Sequence, residues 1–444
     1  MILDVHVRSR HVAKLYRDRD EYVLHYLPGT AREDFVSLAL PVREAPWRWP
    51  RDLFPFFRQN LPEGYLLNVI REAFGPLLDG TDLSMLGLVG GTGIGRVSVT
   101  PEGIKPGIVM EPLDLGHLLK AENTTERFAE LVRQYARVAV SGVVPKFIAA
   151  DAVARRVEPL GKPTLRTGSH IIKGSDETTP FLGFNEFYTM RVLGRLGVVP
   201  VASCRMSEDG KVLVVDRFDV DDQGNACRGV EDACGLLGLP PHEKYAPTTE
   251  RVWNACRAYL SAEHLKAQRE HFGWQLLTNY VVRNADCHAK NIALLYTSLT
   301  DVAFTPVFDL VTTQAYPRFA NNPPGLSVGG RQTWTLGRSL ESFFKGVLSI
   351  SQRQYAAMIE QLCESAVAVG KEVIEASKNE PAWRDVAKNM VHAWNVGMEA
   401  LRSPKAAPHF RGLDAAIAGA GFSGPGKPER SGEVIGRSEL LGKR

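Results

Sequence analysis

The stretch Asn284-Ala285-Asp286-Cys287-His288-Ala289-Lys290-Asn291 decides how this chain is read. Upstream, Trp274, Leu277, Tyr280 and Val281 share one face of a helix that ends near Val282. Downstream, the apolar run Ile292 to Tyr296 reads as a strand. A turn from Thr297 to Asp301 leads into a second apolar run, Val302 to Phe308, which ends at Asp309. The pattern predicts a helix, a short polar loop and a β-hairpin. Asp286 and Asn291 stand before its first strand and Asp309 after its second.

The three side chains suit one chemistry. Asn291 and Asp309 are hard oxygen donors of the kind that hold Mg²⁺ on a polyphosphate. Asp286 is left to orient an acceptor hydroxyl and take its proton. Protein kinases use this arrangement, a D-x-x-x-x-N loop followed by a hairpin and a further metal-binding Asp. The spacing alone is equally met by an ordinary loop in which Asp286 caps a turn. His288 reads as a polar loop residue or one that touches nucleotide phosphate.

A kinase also needs a lysine on a strand, held by a helical glutamate, to reach the phosphates. His170-Ile171-Ile172-Lys173 supplies a strand ending in lysine, and Glu186 opens the next helix in Asn185-Glu186-Phe187-Tyr188. A surface lysine and a capping glutamate would look the same. The glycine-containing loop before the lysine is Ser141-Gly142-Val143-Val144-Pro145-Lys146, with a single glycine. The strand Val212 to Val215 runs into Asp216-Arg217-Phe218-Asp219, where a chain would cross between lobes along the adenine pocket. Phe218 also suits a routine core position.

Working outward, 444 residues correspond to two to four domains at about 100–200 residues each. Lys+Arg 53 against Asp+Glu 50 leaves +3, which argues against an extended basic surface for direct nucleic-acid binding. With 44% hydrophobic and 23% charged residues, the composition is that of a globular chain, not a disordered one. The charged start is unlike a signal peptide, and no apolar run approaches the ~20 residues that span a bilayer. Six scattered cysteines suggest neither a disulfide framework nor zinc, so a cytoplasmic location is expected.

Residues 1–112 read as a small α+β unit, with strands at Tyr22 to Tyr26 and Phe35 to Leu40 and a helix carrying Leu66, Val69, Ile70 and Phe74. Residues 125–220 read as a second unit, opening with a helix from Phe128 to Tyr135. Residues 221–420 read as mostly helical, and 421–444 as a disordered tail. Three near-motifs fail. Gly90 to Gly95 misses the third glycine of a dinucleotide fingerprint and reads as a tight turn between strands. His242-Glu243-Lys244-Tyr245-Ala246 lacks the second histidine of a zinc-protease helix. Gly161-Lys162 lacks the upstream glycine of a phosphate loop.

The motifs together resemble the HipA-type serine/threonine kinases, the toxins of bacterial toxin–antitoxin modules. The pieces are Ser141 to Lys146, His170 to Lys173, Asn185 to Tyr188, Asp216 to Asp219, Asp286 to Asn291 and Thr305-Pro306-Val307-Phe308-Asp309, in the family's order. Asn60-Leu61-Pro62-Glu63-Gly64 and the Leu86 to Gly95 segment match its N-terminal subdomain. The resemblance implies an α+β, two-lobed protein-kinase-like fold with an N-terminal accessory α+β subdomain and a mostly helical C-terminal lobe.

It implies ATP and Mg²⁺ as cofactors. Asp286 takes the catalytic place, Asn291 and Asp309 the metal-ligand places, and Glu186 supports Lys173. The nucleotide-side residues are Ser141, Gly142, Lys146, Lys173, Asp216, Phe218, His288 and Lys290. Ser141 matches one autophosphorylation site of the family, while Ala139 stands at another, and Val144 replaces a frequent glutamine. The resemblance further implies a protein substrate in the translation machinery, such as an aminoacyl-tRNA synthetase. It also implies restraint by a helix-turn-helix antitoxin, with DNA reached only through that partner and no membrane contact. A small-molecule or lipid kinase, and a non-catalytic nucleotide- and antitoxin-binding module, are the alternatives.

Overall fold

Strand β1 (Ile2–Val7) is buried along all but its first residue. Leu3, Val5 and Val7 alternate into an apolar core with Leu15, Leu24, Phe54 and Phe57. Asp4, on the other face, accepts the backbone N–H of Gly103 at 2.8 Å. With β2 (Arg10–Asp18), β3 (Glu21–Tyr26), β4 (Trp47–Pro50) and β5 (Val97–Pro101) it forms an antiparallel sheet in the order β4-β3-β2-β1-β5. The computed structural model describes residues 1–106, 114–124, 126–131, 134, 164–335, 337–402, 412–422 and 424. Ser141, Gly142 and Lys146, most of the 421–444 segment and the end of the helix expected to reach Tyr135 lie outside the described residues.

A second sheet follows, from β6 (Thr164–Arg166), β7 (His170–Gly174), β8 (Cys204–Met206) and β9 (Val212–Asp216), in the order β6-β7-β9-β8. The period of two along β9 divides its contacts. Val212 and Val214 pack with Ile172 against Val69, Ile70 and Phe74 of α1 (Gly64–Phe74). Leu213 and Val215 face the core that holds Leu182 and Phe184 of α2 (Leu182–Gly194). At Gly183 an added Cβ would come 2.4 Å from the Val212 carbonyl oxygen, so glycine lets α2 sit this close to β9.

The third sheet is small, with β10 (Gly229–Asp232), β11 (Ala293–Tyr296) and β12 (Val302–Phe304) in the order β10-β11-β12. The predicted hairpin is β11–β12, with Leu294 opposite Phe304 and Tyr296 opposite Val302. Around it pack α3 (Leu265–Val281), α4 (Gln352–Asn379) and α5 (Arg384–Leu401) over Trp253, Phe272, Phe344 and Trp394. Ser351 and Gln354 make a reciprocal capping box that starts α4. The architecture is α+β, and among the described residues no helix is long and apolar enough to cross a membrane.

Two local expectations are corrected. Phe35 to Leu40 does not form a strand; only Ser37 and Leu40 bridge each other. The Ser37 hydroxyl and the Leu38 N–H donate to the Glu231 carboxylate at 2.9 and 2.6 Å, so a side chain takes bonds that a ladder would need. Gly90 to Gly95 does not join two strands. It follows the helix Asp82–Val89, which Thr81 caps by accepting the N–H of Ser84 at 3.2 Å, and it leads into β5.

The units are joined by specific polar contacts. Asn185 of α2 pairs with the backbone of Thr312 in both directions, at 3.0 and 2.9 Å. Thr312 also accepts the indole N–H of Trp394 at 2.6 Å. On the other side, the Gln59 side chain donates to the carbonyl of Val230 and accepts from Asp232 N–H at 2.9 and 3.0 Å. Asp219 accepts the N–H of Gly95 at 2.7 Å.

Candidate active site

The loop after α3 is shaped by buried amides. Arg283 adopts a left-handed backbone, φ 56°, and turns the chain out of the helix. Asn284 then works in three directions. Its amide donates to the Asn279 side chain at 2.7 Å and to the Asp309 carbonyl at 3.1 Å, and its oxygen accepts the N–H of Asp286 at 3.0 Å. Asn291 donates from its side chain to the Asp286 carbonyl at 3.1 Å, closing the loop that the D-x-x-x-x-N spacing encloses. Behind it, a Cβ on Gly325 would stand 2.3 Å from the carbonyl oxygen of Cys287, so a bare backbone supports the loop.

Asp309 also has a left-handed backbone, φ 57°, a conformation that Asp tolerates better than most residues. Its carboxylate forms a close ion pair with Lys173 of β7. Lys173 bonds Glu186 of α2 at 2.7 Å as well. Burial works against the ammonium, but Asp309 and Glu186 outweigh it and hold Lys173 well above the ordinary lysine range. Lys173 and Glu186, paired in the sequence reading, meet in the structure, with Glu186 one turn inside α2 and fully buried.

A cavity of about 1260 Å³ opens between the three units. Lys173, Asp216, Phe218, Asp286, His288, Lys290, Asn291 and Asp309, all singled out from the sequence, line it. Phe218 packs against Phe308 with centroids 5.8 Å apart, and both border the cavity. Asp216 accepts from Arg205 at 3.1 Å. His288 is buried and neutral, since burial first and Lys244 second push it down to about 3. Burial pushes the Cys287 thiol up to about 12, so it supplies no thiolate.

Three further residues belong to the site and were not read from the sequence. The Tyr245 hydroxyl donates to the Asp286 carboxylate, and its ring stands edge-on to His288 at 5.0 Å. Lys244 gives its carbonyl to Ala289 N–H at 3.0 Å and its ammonium to Glu63 at 3.8 Å. Glu63, from the N-terminal unit, also pairs closely with Lys290. Lys244 and Tyr245 sit in the His242 to Ala246 segment set aside above for failing a zinc motif. Nothing in its residue types marks a long-range contact.

The donor set fits a polyphosphate with Mg²⁺. Asn291 and Asp309 offer side-chain oxygens at the cavity wall, Lys173 offers a cation beside them, and the buried His288 Nδ1 has no hydrogen-bond partner among the described residues. No cluster of three His, Cys, Asp or Glu suited to a metal occurs among the described residues. Mg²⁺ in such sites takes only one or two protein ligands, the rest coming from phosphate and water.

Two family models match the chain: the HipA-like C-terminal domain over residues 138–370 and the HipA N-terminal domain over residues 3–100. A Sinorhizobium fredii (strain NBRC 101917 / NGR234) protein named "Putative kinase Y4mE" is 30% identical over 308 residues, covering 64% of this chain and 69% of that protein. A Haemophilus influenzae protein named "Putative kinase" is 28% identical over 169 residues, 35% of this chain and 48% of its own length. Among solved structures, the chain is similar to one from the Shewanella oneidensis MR-1 toxin–antitoxin complex of HipA, HipB and operator DNA. That match has TM-score 0.60 and 19% identity, and covers 89% of this chain and 96% of the other. At that identity the likeness establishes the two-lobed fold.

Proposed function

The chain belongs to the HipA-like family, and from that premise we propose that it is an ATP- and Mg²⁺-dependent protein serine/threonine kinase. One observation carries the reading. Lys173, the loop residues Asp286 and Asn291, and Asp309 come from three separate segments and line one cavity, with Lys173 ion-paired to both Glu186 and Asp309. Asn291 and Asp309 would hold Mg²⁺, which when bound neutralises phosphate charge. Lys173 draws the phosphates to the same wall. Asp286 orients the acceptor hydroxyl and takes its proton; Tyr245 holds that carboxylate, and Asn284 holds the backbone N–H that carries it. Positioning and charge neutralisation are most of what phosphoryl transfer requires.

The family resemblance extends the proposal to a growth-inhibiting role in the cytoplasm, with a translation component such as an aminoacyl-tRNA synthetase as substrate. The solved relative assembles with HipB and operator DNA, which supports an antitoxin partner here, with DNA reached through it. Ser141 is the proposed autophosphorylation site, by resemblance. The test is labelled ATP with a bacterial lysate, comparing wild type, Asp286→Asn and Asp309→Asn. Label on protein with wild type alone supports the kinase. Equal labelling by all three removes it, and label confined to a metabolite replaces the protein acceptor with a small molecule.

A further inference from the structure

Glu63 occupies an unusual place for a residue of the N-terminal unit. It stands at the N-cap of α1, yet its side chain makes no cap bond to that helix. The carboxylate instead crosses to the helical lobe, where it pairs closely with Lys290 and lies 3.8 Å from Lys244. The loop that presents it is braced. Gln59 is bonded to β10, and Asn60 accepts the N–H of Ile94 at 3.1 Å. Lys290 is one residue from Asn291 and four from Asp286, and these three and Glu63 line the cavity. The titratable groups around Lys290 besides Glu63 include Lys244, the neutral His288 and Asp232. The Asp232 carboxylate is fixed by the N–H of Gly235 at 2.7 Å.

Burial disfavours the Glu63 carboxylate, but Lys290 and Lys244 outweigh it and hold it below the usual range, so it is an anion at neutral pH. A resident anion therefore sits on a lysine of the wall that the polyphosphate must approach. Resting on the kinase reading above, we propose that Glu63 sets the affinity of the site for nucleoside polyphosphate by competing with the phosphates for Lys290. The N-terminal unit thereby contributes a working residue to nucleotide binding. A nucleoside without phosphates has no claim on Lys290 and is indifferent to Glu63.

The experiment is calorimetric titration of the full-length chain with Mg·ATP and, separately, with adenosine. The proteins are wild type, Glu63→Gln, Lys290→Gln and the double variant, each checked for an unchanged unfolding midpoint. Glu63→Gln is expected to bind ATP about two- to fivefold more tightly, the scale of a part-exposed ion pair, with adenosine affinity unchanged. The gain should vanish in the Lys290→Gln background. Glu63→Asp, which keeps the charge, should bind ATP like wild type and serves as the check where Glu63→Gln unfolds. Unchanged or weaker ATP binding by Glu63→Gln, an equal gain with adenosine, or the same gain in both backgrounds overturns the inference alone. Failure of every form to bind ATP overturns the kinase reading with it.

Discussion

The helical lobe meets its neighbours through two charged triads of opposite composition. Toward the nucleotide-side sheet, one lysine lies between two carboxylates, Lys173 with Glu186 and Asp309. Toward the N-terminal unit, one carboxylate lies between two lysines, Glu63 with Lys290 and Lys244. Their exposure separates them. In the first triad Glu186 is 1% and Lys173 11% exposed, with only Asp309, at 34%, reaching the cavity; in the second the central Glu63 is itself 40% exposed, between lysines at 17% and 25%. Ion pairs closed to water are costly to break because the survivor is stranded, while exposed ones are screened and nearly replaceable. The first triad is thus committed to structure and chemistry together, and the second is free to tune.

The largest effect is expected where the closed triad is cut. Lys173→Met leaves two carboxylates facing each other with no cation, and should cost about 3–5 kcal/mol, read from urea unfolding. Glu63→Gln should cost under about 1 kcal/mol in the same assay. Equal losses would break the comparison.

Within the loop between the triads, Asp286→Asn keeps the shape and removes the proposed base. Phosphoryl transfer should fall about 10²–10⁴-fold with ATP affinity nearly unchanged, measured by single-turnover labelling beside calorimetry. A matching loss of ATP affinity would mean that Asp286 serves nucleotide binding.

These assignments differ in how legible they were. Asp286, Asn291 and Asp309 could be read because helix periodicity, a five-residue spacing and a hairpin are local signals. The short apolar strand that ends in Lys173 is a local signal of the same kind. Phe35 to Leu40 has strand-like residues, yet its bonds go to Glu231, almost two hundred positions away, which no local pattern encodes. Glu63, Lys244 and Tyr245 share that fault. Each is an ordinary polar residue in its own segment, and only the packing of three units brings it to the loop. Asn284 was quoted in the decisive stretch, but its triple hydrogen bonding needs Asn279 and Asp309 in place before it can be seen.

The N-terminal seam holds a second carboxylate that sharpens the comparison, because it is buried like Glu186 but, among the described residues, makes no direct ion pair. Glu231 accepts from Ser37, Leu38 and Tyr296, the last at 2.8 Å. Burial pushes its carboxyl up to about 7, against those three bonds that favour the anion. With a folded value above the unfolded 4.5, its stabilising contribution is complete below about pH 4.5 and is lost as pH rises through about 7. Glutamine can meet the same partners, accepting from Leu38 and Tyr296 and donating to the Ser37 oxygen. Glu231→Gln should therefore gain on wild type by about 3 kcal/mol between pH 4.5 and 8, measured as the difference in urea unfolding. His271 and His288, pushed down to about 4 and about 3, tilt stability the other way but do so in both proteins. A constant difference across that range would mean that Glu231 is ionised throughout and tied as firmly as Glu186.

A smaller effect than at Asp286 is expected at Tyr245, which lies between the two triads and belongs to neither. Its hydroxyl donates to Asp286 while its neighbour Lys244 reaches Glu63, so one short segment touches both the Asp286 carboxylate and the N-terminal one. Tyr245→Phe keeps the ring against His288 and removes only the donor. The carboxylate of Asp286 then keeps its backbone anchor through Asn284 but loses one restraint on its orientation. A hydrogen bond to a charged group is worth enough that the turnover number should fall about tenfold, at ~1.4 kcal/mol per decade. Calorimetric affinity for ATP should stay at the wild-type value, because the donor acts on the acceptor side. If ATP affinity instead rises as in Glu63→Gln, then Tyr245 works through Lys244 and Glu63, and the segment is part of the rim triad.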